Sequence, residues 1–85
     1  MTRYAVLVEV ALRPGIADPQ GATIERALPT LGFDSVHGVR VGKAFRFEVE
    51  AAGMEEARRD AAALASRLLS NPVMEDSSVS VEVVQ

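Results

Sequence analysis

The stretch YAVLVEVAL, residues 4–12, has the alternation that decides the fold. One face of a strand here would carry only large apolar side chains, namely Tyr4, Val6, Val8, Val10 and Leu12. The other face would carry Ala5, Leu7, Glu9 and Ala11. Because both faces are mainly apolar, we expect a strand that is covered on both sides over much of its length.

Two amphipathic helices follow from the sequence. The first begins at Asp18-Pro19, where an N-cap oxygen precedes a proline, and Gly32 ends it. Its apolar stripe is Ile24, Ala27, Leu28 and Leu31. Pro29 removes a backbone hydrogen bond, so we expect a distorted turn after Leu28.

The second helix is predicted from Met54 to about Leu69 and is ended by Asn71-Pro72. Its inward stripe is Met54, Ala57, Ala61, Leu64, Ala65 and Leu68.

The remaining alternating segments predict three further strands. Residues 35–41 and 44–50 are separated by Gly42-Lys43, which suits a two-residue turn, so we expect them to form a hairpin. Residues 78–84 predict the last strand.

The predicted order is β-α-β-β-α-β, an α+β fold with one domain spanning residues 1–85. It closes most simply as an antiparallel sheet with both helices on one face. Ala5, Leu7 and Ala11 would then be exposed on the opposite face. An exposed apolar sheet face usually marks an association surface. We therefore expect a sheet-mediated oligomer, or strands exchanged between subunits.

The composition excludes several function classes. The chain has no cysteine and one histidine, which removes disulfides, thiolate metal sites and most acid–base designs. Its net charge is −3 and its basic residues are scattered, so nucleic acid is not an expected partner. No segment has the pattern of a signal peptide or membrane span, and we expect a cytoplasmic protein.

The sequence contains no residue pattern that indicates a catalytic residue or a metal site. His37 has no partner that would tune it, and Gly42-Lys43 is followed by alanine rather than the Ser or Thr of a phosphate loop. Arg40, Lys43 and Arg46 cluster around the predicted hairpin as a contact patch for a partner protein or a ligand phosphate. Glu75-Asp76 form an acidic corner before the last strand.

Three segments together resemble the PurS family, the small subunits of phosphoribosylformylglycinamidine (FGAM) synthase. They are DPQG at 18–21, VRVGK at 39–43 and LLSNPVMED at 68–76. The resemblance spans essentially the whole chain. Gly38, Pro29 and Ser77-Ser78 depart from the family pattern.

The resemblance implies a non-catalytic assembly subunit in de novo purine biosynthesis. The synthase is a ligase that converts formylglycinamide ribonucleotide (FGAR) into FGAM with ATP, Mg²⁺ and glutamine. The small subunit would bridge the large synthetase and glutaminase subunits as a homodimer or homotetramer, and would bind no cofactor by itself. The resemblance also implies that Asp18, Pro19, Gln20 and Gly21 set the first helix. With Arg46, the interaction candidates are Arg40, Gly42, Lys43, Asn71, Pro72, Glu75 and Asp76.

One other reading of the sequence stays open, and a further one is set aside. A small-molecule-sensing regulatory domain would bind an amino acid or nucleotide at a subunit interface, and ligand would raise its melting temperature. An RNA-binding sheet would need stacking aromatic residues and positive charge, which this sequence lacks.

Overall fold

The computed structural model describes residues 1–84. It contains three strands and two helices: β1 (Thr2–Leu12), α1 (Pro19–Ala27), β2 (Gly42–Ala51), α2 (Met54–Leu64) and β3 (Glu75–Val83). A 3-10 turn, Pro29–Leu31, follows α1, and a π-helical turn, Ala65–Leu69, continues α2. Among the described residues, no helix is both long and apolar enough to span a membrane.

The three strands form an antiparallel sheet in the order β2-β1-β3. The central strand β1 is the alternating stretch that opens the sequence, and Val6 lies between Phe47 and Val81 of its neighbours. The predicted antiparallel α+β fold is therefore confirmed.

The predicted hairpin is wrong, because residues 36–41 have no regular secondary structure and β2 already begins at Gly42. Gly38 adopts a left-handed φ of 69°, which interrupts an extended strand. The N–H groups of Val39 and Val41 donate to the carboxylates of Glu25 and Asp18. The segment is thus bound to α1 by side chains and does not pair with β2.

The core lies between one face of β1 and the inner face of α2. Its buried residues are Tyr4, Val6, Val8, Val10, Ala51, Ala57, Ala61 and Ala65. The alanines of α2 let the helix approach the sheet closely, and Phe45, Phe47 and Val49 of β2 close one side. The predicted apolar face of β1 is confirmed as its inward face at Tyr4, Val6, Val8 and Val10.

The helix α1 is not packed across the sheet, and its main contacts are with the 3-10 turn that follows it. Its predicted apolar stripe is consequently uncovered within this chain: Ile24 is 46% exposed and Leu31 67%. The distortion predicted at Pro29 is confirmed, since the α-helix ends at Ala27 and Gly32 ends the turn with a φ of 89°.

The end of α2 also differs from the prediction. Leu68, placed inward by helical periodicity, is 73% exposed, whereas Leu69 packs against the core. Ser70 N–H donates to the carbonyl of Ala65 at 2.9 Å, the i→i+5 bond of a π turn. This wider turn holds more residues than an α turn, so it rotates Leu68 away from the sheet.

Candidate functional site: a polar junction at one end of the sheet

The three family-like segments meet at one end of the sheet. Ala11, near the end of β1, pairs with Gly42 at the start of β2 and with Asp76 at the start of β3. Residues 18–21 begin the helix beside them, and a shallow cavity there is lined by Asp18, Gly42, Lys43 and Glu75 among others. We call this region, residues 10–13, 18–21, 39–43 and 71–76, the sheet-end junction.

Asp18 joins two parts of the sheet-end junction. Its Oδ1 accepts a hydrogen bond from Gly21 N at 2.9 Å and its Oδ2 accepts one from Val41 N at 2.7 Å. The Arg40 guanidinium lies 4.0 Å from Oδ2, and the Asp18 side chain is only 6% exposed. The hydrogen bonds from Gly21 and Val41, helped by the charge of Arg40, lower the pKa of this carboxyl below its ordinary value. Asp18 is therefore both the helix cap and the anchor of residues 39–41.

Two glycines of the sheet-end junction allow close backbone approach. A Cβ on Gly21 would collide with the carbonyl oxygen of Val39, and a Cβ on Gly42 would lie 2.7 Å from the carbonyl oxygen of Val10. Gly42 has no left-handed φ and forms no hairpin turn, so the feature that favours glycine here is the close approach of the Val10 carbonyl.

The segment 71–76 is a tightly bonded turn. Asn71 N–H donates to Glu75 Oε1 at 2.7 Å, and Asn71 Oδ1 accepts from Val73 N at 3.0 Å. Met74 N and Glu75 N both donate to the carbonyl of Asn71. The turn is therefore stabilised from within by hydrogen bonds between Asn71 and the residues up to Glu75.

Two ion pairs join this turn to its neighbours. Lys43 Nζ lies 3.8 Å from Glu75 Oε2, and Arg13 Nε lies 3.2 Å from Asp76 Oδ1. Arg13 also donates from its backbone to Met74 O and from its guanidinium to Pro72 O. Each of these basic residues thus has an acidic partner.

The predicted basic cluster is brought together only in part. The Arg40 guanidinium donates to the carbonyls of Leu12 at 3.5 Å and Arg13 at 3.3 Å, and Lys43 lies in the same junction. Arg46 is three residues beyond Lys43 on β2 and faces the opposite side of the sheet, in register with Leu7.

The open face of the sheet carries Arg46 and the other predicted association residues. Ala5 and Leu7 line a shallow depression that is bordered by Arg46, Glu48, Ser80 and Glu82. Ala11 lies further along the same face of β1 and is exposed. Ala5 is flanked in register by Glu48 of β2 and Glu82 of β3, whose longer side chains border the depression.

Sequence reasoning missed Arg13, which lies in the sheet-end junction, and Glu25 of α1, which binds the junction at Val39. Helical periodicity could have indicated Glu25, because it lies two turns after Asp18 and therefore on the same face of α1. Those two carboxylates bind alternate N–H groups of residues 39–41. Arg13 belongs to no motif, and its partners become visible only when β1 and β3 are paired.

The polar contacts of the sheet-end junction stabilise its conformation. Its charged groups contact backbone amides, backbone carbonyls or one another. His37 is exposed. Within residues 1–84, no group of three or more His, Asp or Glu side chains is placed to hold a metal ion.

Comparison with known proteins gives a consistent result. The family model described as "PurS: Phosphoribosylformylglycinamidine (FGAM) synthase" matches residues 5–83. The chain is 42% identical over 72 residues to the phosphoribosylformylglycinamidine synthase subunit PurS of Archaeoglobus fulgidus, covering 85% of this chain and 90% of that protein.

Solved structures agree with the sequence match. A chain in the structure of PurLQS from Thermotoga maritima has a TM-score of 0.88 and 34% identity, covering 96% of this chain and 100% of that one. Methanocaldococcus jannaschii PurS, described as one subunit of formylglycinamide ribonucleotide amidotransferase, has a TM-score of 0.85 and 32% identity, with coverages of 96% and 99%. From its sequence and its fold, the chain belongs to the PurS family.

Proposed function

We propose that this chain is the non-catalytic assembly subunit of FGAM synthase and that it bridges the large synthetase subunit and the glutaminase subunit. Family membership makes it a subunit of the glutamine-dependent ligase that forms FGAM from FGAR in purine biosynthesis. ATP and Mg²⁺ would be used by the complex rather than held by this chain, and the complex would act in the cytoplasm. The family match does not favour a sensing domain.

One observation supports the bridging role above the others. The polar groups of the sheet-end junction are used in internal contacts, while large apolar side chains remain on the surface. They include Ile24, Leu31, Phe33, Val36, Leu68, Val73 and Met74. Such a distribution is typical of a protein whose function is to be covered by other chains.

Self-association is part of this proposal. The Cα radius of gyration is 16.6 Å, whereas a compact domain of this length has about 12 Å. The apolar stripe of α1 and the sheet face with Ala5, Leu7 and Ala11 are both uncovered in one chain. We expect a second copy to cover them, which gives a homodimer or, if both surfaces are used separately, a homotetramer.

The sheet-end junction supplies the candidate polar contacts with the other subunits. Lys43 and Asp76 remain more than half exposed although each is in an ion pair, so their outer atoms are free to contact a partner. Arg40, Gly42, Asn71, Pro72 and Glu75 would mainly fix the shape of this surface. Arg46, on the open sheet face, would instead contribute to association there.

The proposal is tested by light scattering after size-exclusion chromatography of the three purified subunits. The chain should co-elute with the large and glutaminase subunits in the triple mixture, and the two larger subunits should not form that complex without it. Co-elution of the two larger subunits that is unchanged by omitting the chain would contradict the bridging role.

A further inference from the structure

Two adjacent rows of side chains cross the centre of the open sheet face, and each row has an apolar residue of β1 in its middle. One row has a leucine at its centre and an arginine on β2. The next row has an alanine at its centre and a carboxylate on each side. From β2 to β3 the two rows are Arg46-Leu7-Ser80 and Glu48-Ala5-Glu82. The rows therefore differ both in height and in charge.

The charges of these two rows are not balanced inside the chain. Among residues 1–84, Arg46 lies within ion-pair distance of no carboxylate. Glu48 shares one cation with Glu50, because the Arg3 guanidinium lies 3.7 Å from Glu48 Oε1 and 3.5 Å from Glu50 Oε1. A second copy of this chain would bring both missing charges, a carboxylate for Arg46 and a cation for Glu48.

The two rows are complementary to each other when two copies pack face to face. In a two-fold contact the same patch of both copies meets itself. With the axis running across the strands between the two rows, each row lies over the other row of the partner. Leu7 then lies over the shallow depression at the partner's Ala5, and Arg46 lies over the partner's Glu48. Both contacts occur twice, once in each direction.

The same axis also suits the β3 side of the face. It places the hydroxyl of Ser80 opposite the partner's Glu82, where the hydroxyl can donate to the carboxylate. Packed sheets keep their strand directions within about 30° of each other, so two adjacent rows stay matched across three strands.

Other two-fold arrangements of this face oppose like charges. An axis over the alanine row would place Glu48 against the partner's Glu48, and an axis over the leucine row would place Arg46 against the partner's Arg46. An axis along the strands, over β1, would place Glu48 against the partner's Glu82. Like charges that face each other across an interface are strongly unfavourable. Charge and side-chain size thus select the same axis.

We propose that two copies of this chain pack through their open sheet faces about a two-fold axis between the Ala5 and Leu7 rows, with Arg46 of each copy paired with Glu48 of the other. The inference rests on the self-association in the proposed function and adds its symmetry and its residue pairs. The contact has an apolar centre and a polar rim, as protein interfaces do. The larger subunits would then contact the chain outside this face.

The test reverses one charge of the pair at a time. Arg46→Glu would place two carboxylates against each other, and Glu48→Arg would place two cations against each other. In an equal mixture of the two variants, a dimer with one chain of each has opposite charges at both places. Arg59→Glu and Asp60→Arg, at exposed positions of α2, change the net charge by the same amounts and are the matched controls. Arg46 and Glu48 are exposed as well, so the variants should fold.

Sedimentation velocity at several concentrations measures association, and circular dichroism verifies the fold. We expect each single variant to have a dissociation constant at least about tenfold above that of the wild type, and the mixture to return to within about threefold of it. The controls, alone and mixed, should associate like the wild type. Any contact through α1 is the same in all of these proteins and does not affect the comparison.

Three results would overturn the inference. They are a single variant that associates like the wild type, a mixture that associates no better than its components, and a wild-type chain that is monomeric throughout. Co-elution with the large and glutaminase subunits is measured on the same wild-type protein. A chain that pairs as expected but does not co-elute would contradict the bridging role alone.

Discussion

Asp18 uses one carboxylate to hold two segments that are distant in sequence. It caps α1 through Gly21 N and binds residues 39–41 through Val41 N. These hydrogen bonds favour the ionised form, so the pKa of Asp18 is lower in the folded chain than in the unfolded one. Its contribution to stability is consequently complete above the ordinary pKa of 3.8 and is lost as the pH falls through the lower folded-state pKa.

The substitution Asp18→Asn tests this link. An amide has one acceptor oxygen and no charge, so it cannot replace both bonds, and the variant should be less stable than the wild type at pH 7. The difference in free energy of unfolding should narrow as the pH falls below 3.8 toward the lower folded-state pKa, because the unfolded wild-type chain takes up the proton of Asp18 before the folded chain does. Urea unfolding of both proteins at several pH values measures this difference. A difference that does not change with pH would contradict the role of the ionised carboxylate.

Gly21 provides a second prediction at the scale of one residue. A side chain at this position would collide with Val39 O, so Gly21→Ser should displace residues 39–41 and lower the free energy of unfolding by about 1 to 3 kcal/mol. Gly53→Ser is the matched control, since a Cβ there meets no atom within 4 Å and serine also suits the N-cap of α2. Urea denaturation of both variants measures the effect. Equal stability of the two variants would show that the approach of Val39 to Gly21 is unimportant.

At the scale of the elements, the sequence predicts the features that depend on neighbouring residues. It does not predict the features that depend on contacts between residues distant in sequence. The faces of β1 and the start of α1 were predictable, because alternation and an Asp-Pro cap act on neighbouring residues. The hairpin was wrong because residues 36–41 alternate like a strand but are bound by carboxylates 14 and 23 residues away. The exposure of Leu68 depends on a π turn, which periodicity does not reveal. The three segments of the sheet-end junction could be found from the sequence. The contacts of Arg13 and the separation of Arg46 from Lys43 could not, because they depend on how the strands pair.

The helix α1 supplies a prediction at this scale. Ile24 is exposed in the single chain, and we expect it to be buried against a second copy. Ile24→Glu should therefore shift the protein toward monomer, because burying an unpaired carboxylate is unfavourable. Ala22→Glu, at an exposed position of the same helix, should leave the assembly unchanged. Sedimentation velocity at several concentrations measures both, and a wild-type chain that is monomeric throughout would contradict this prediction.

At the scale of the whole molecule, the chain is long and thin, with principal extents of 52 × 30 × 14 Å. A single layer of helix on sheet gives it a small core, and a chain of this size is only marginally able to bury its own apolar surface. Association with its own copies and with larger subunits would supply the missing burial. The same apolar surfaces would thus serve both stability and assembly.

The most direct measurement is FGAM synthesis by the purified large and glutaminase subunits, with and without this chain, using either glutamine or ammonium chloride as the nitrogen source. We predict that synthesis from glutamine requires the chain, since under the proposed bridging role ammonia would pass between two subunits that the chain brings together. Synthesis from ammonium chloride should depend on it much less, because no transfer between subunits is needed. Full glutamine-dependent synthesis without the chain would contradict the assembly role, and so would synthesis by the chain alone.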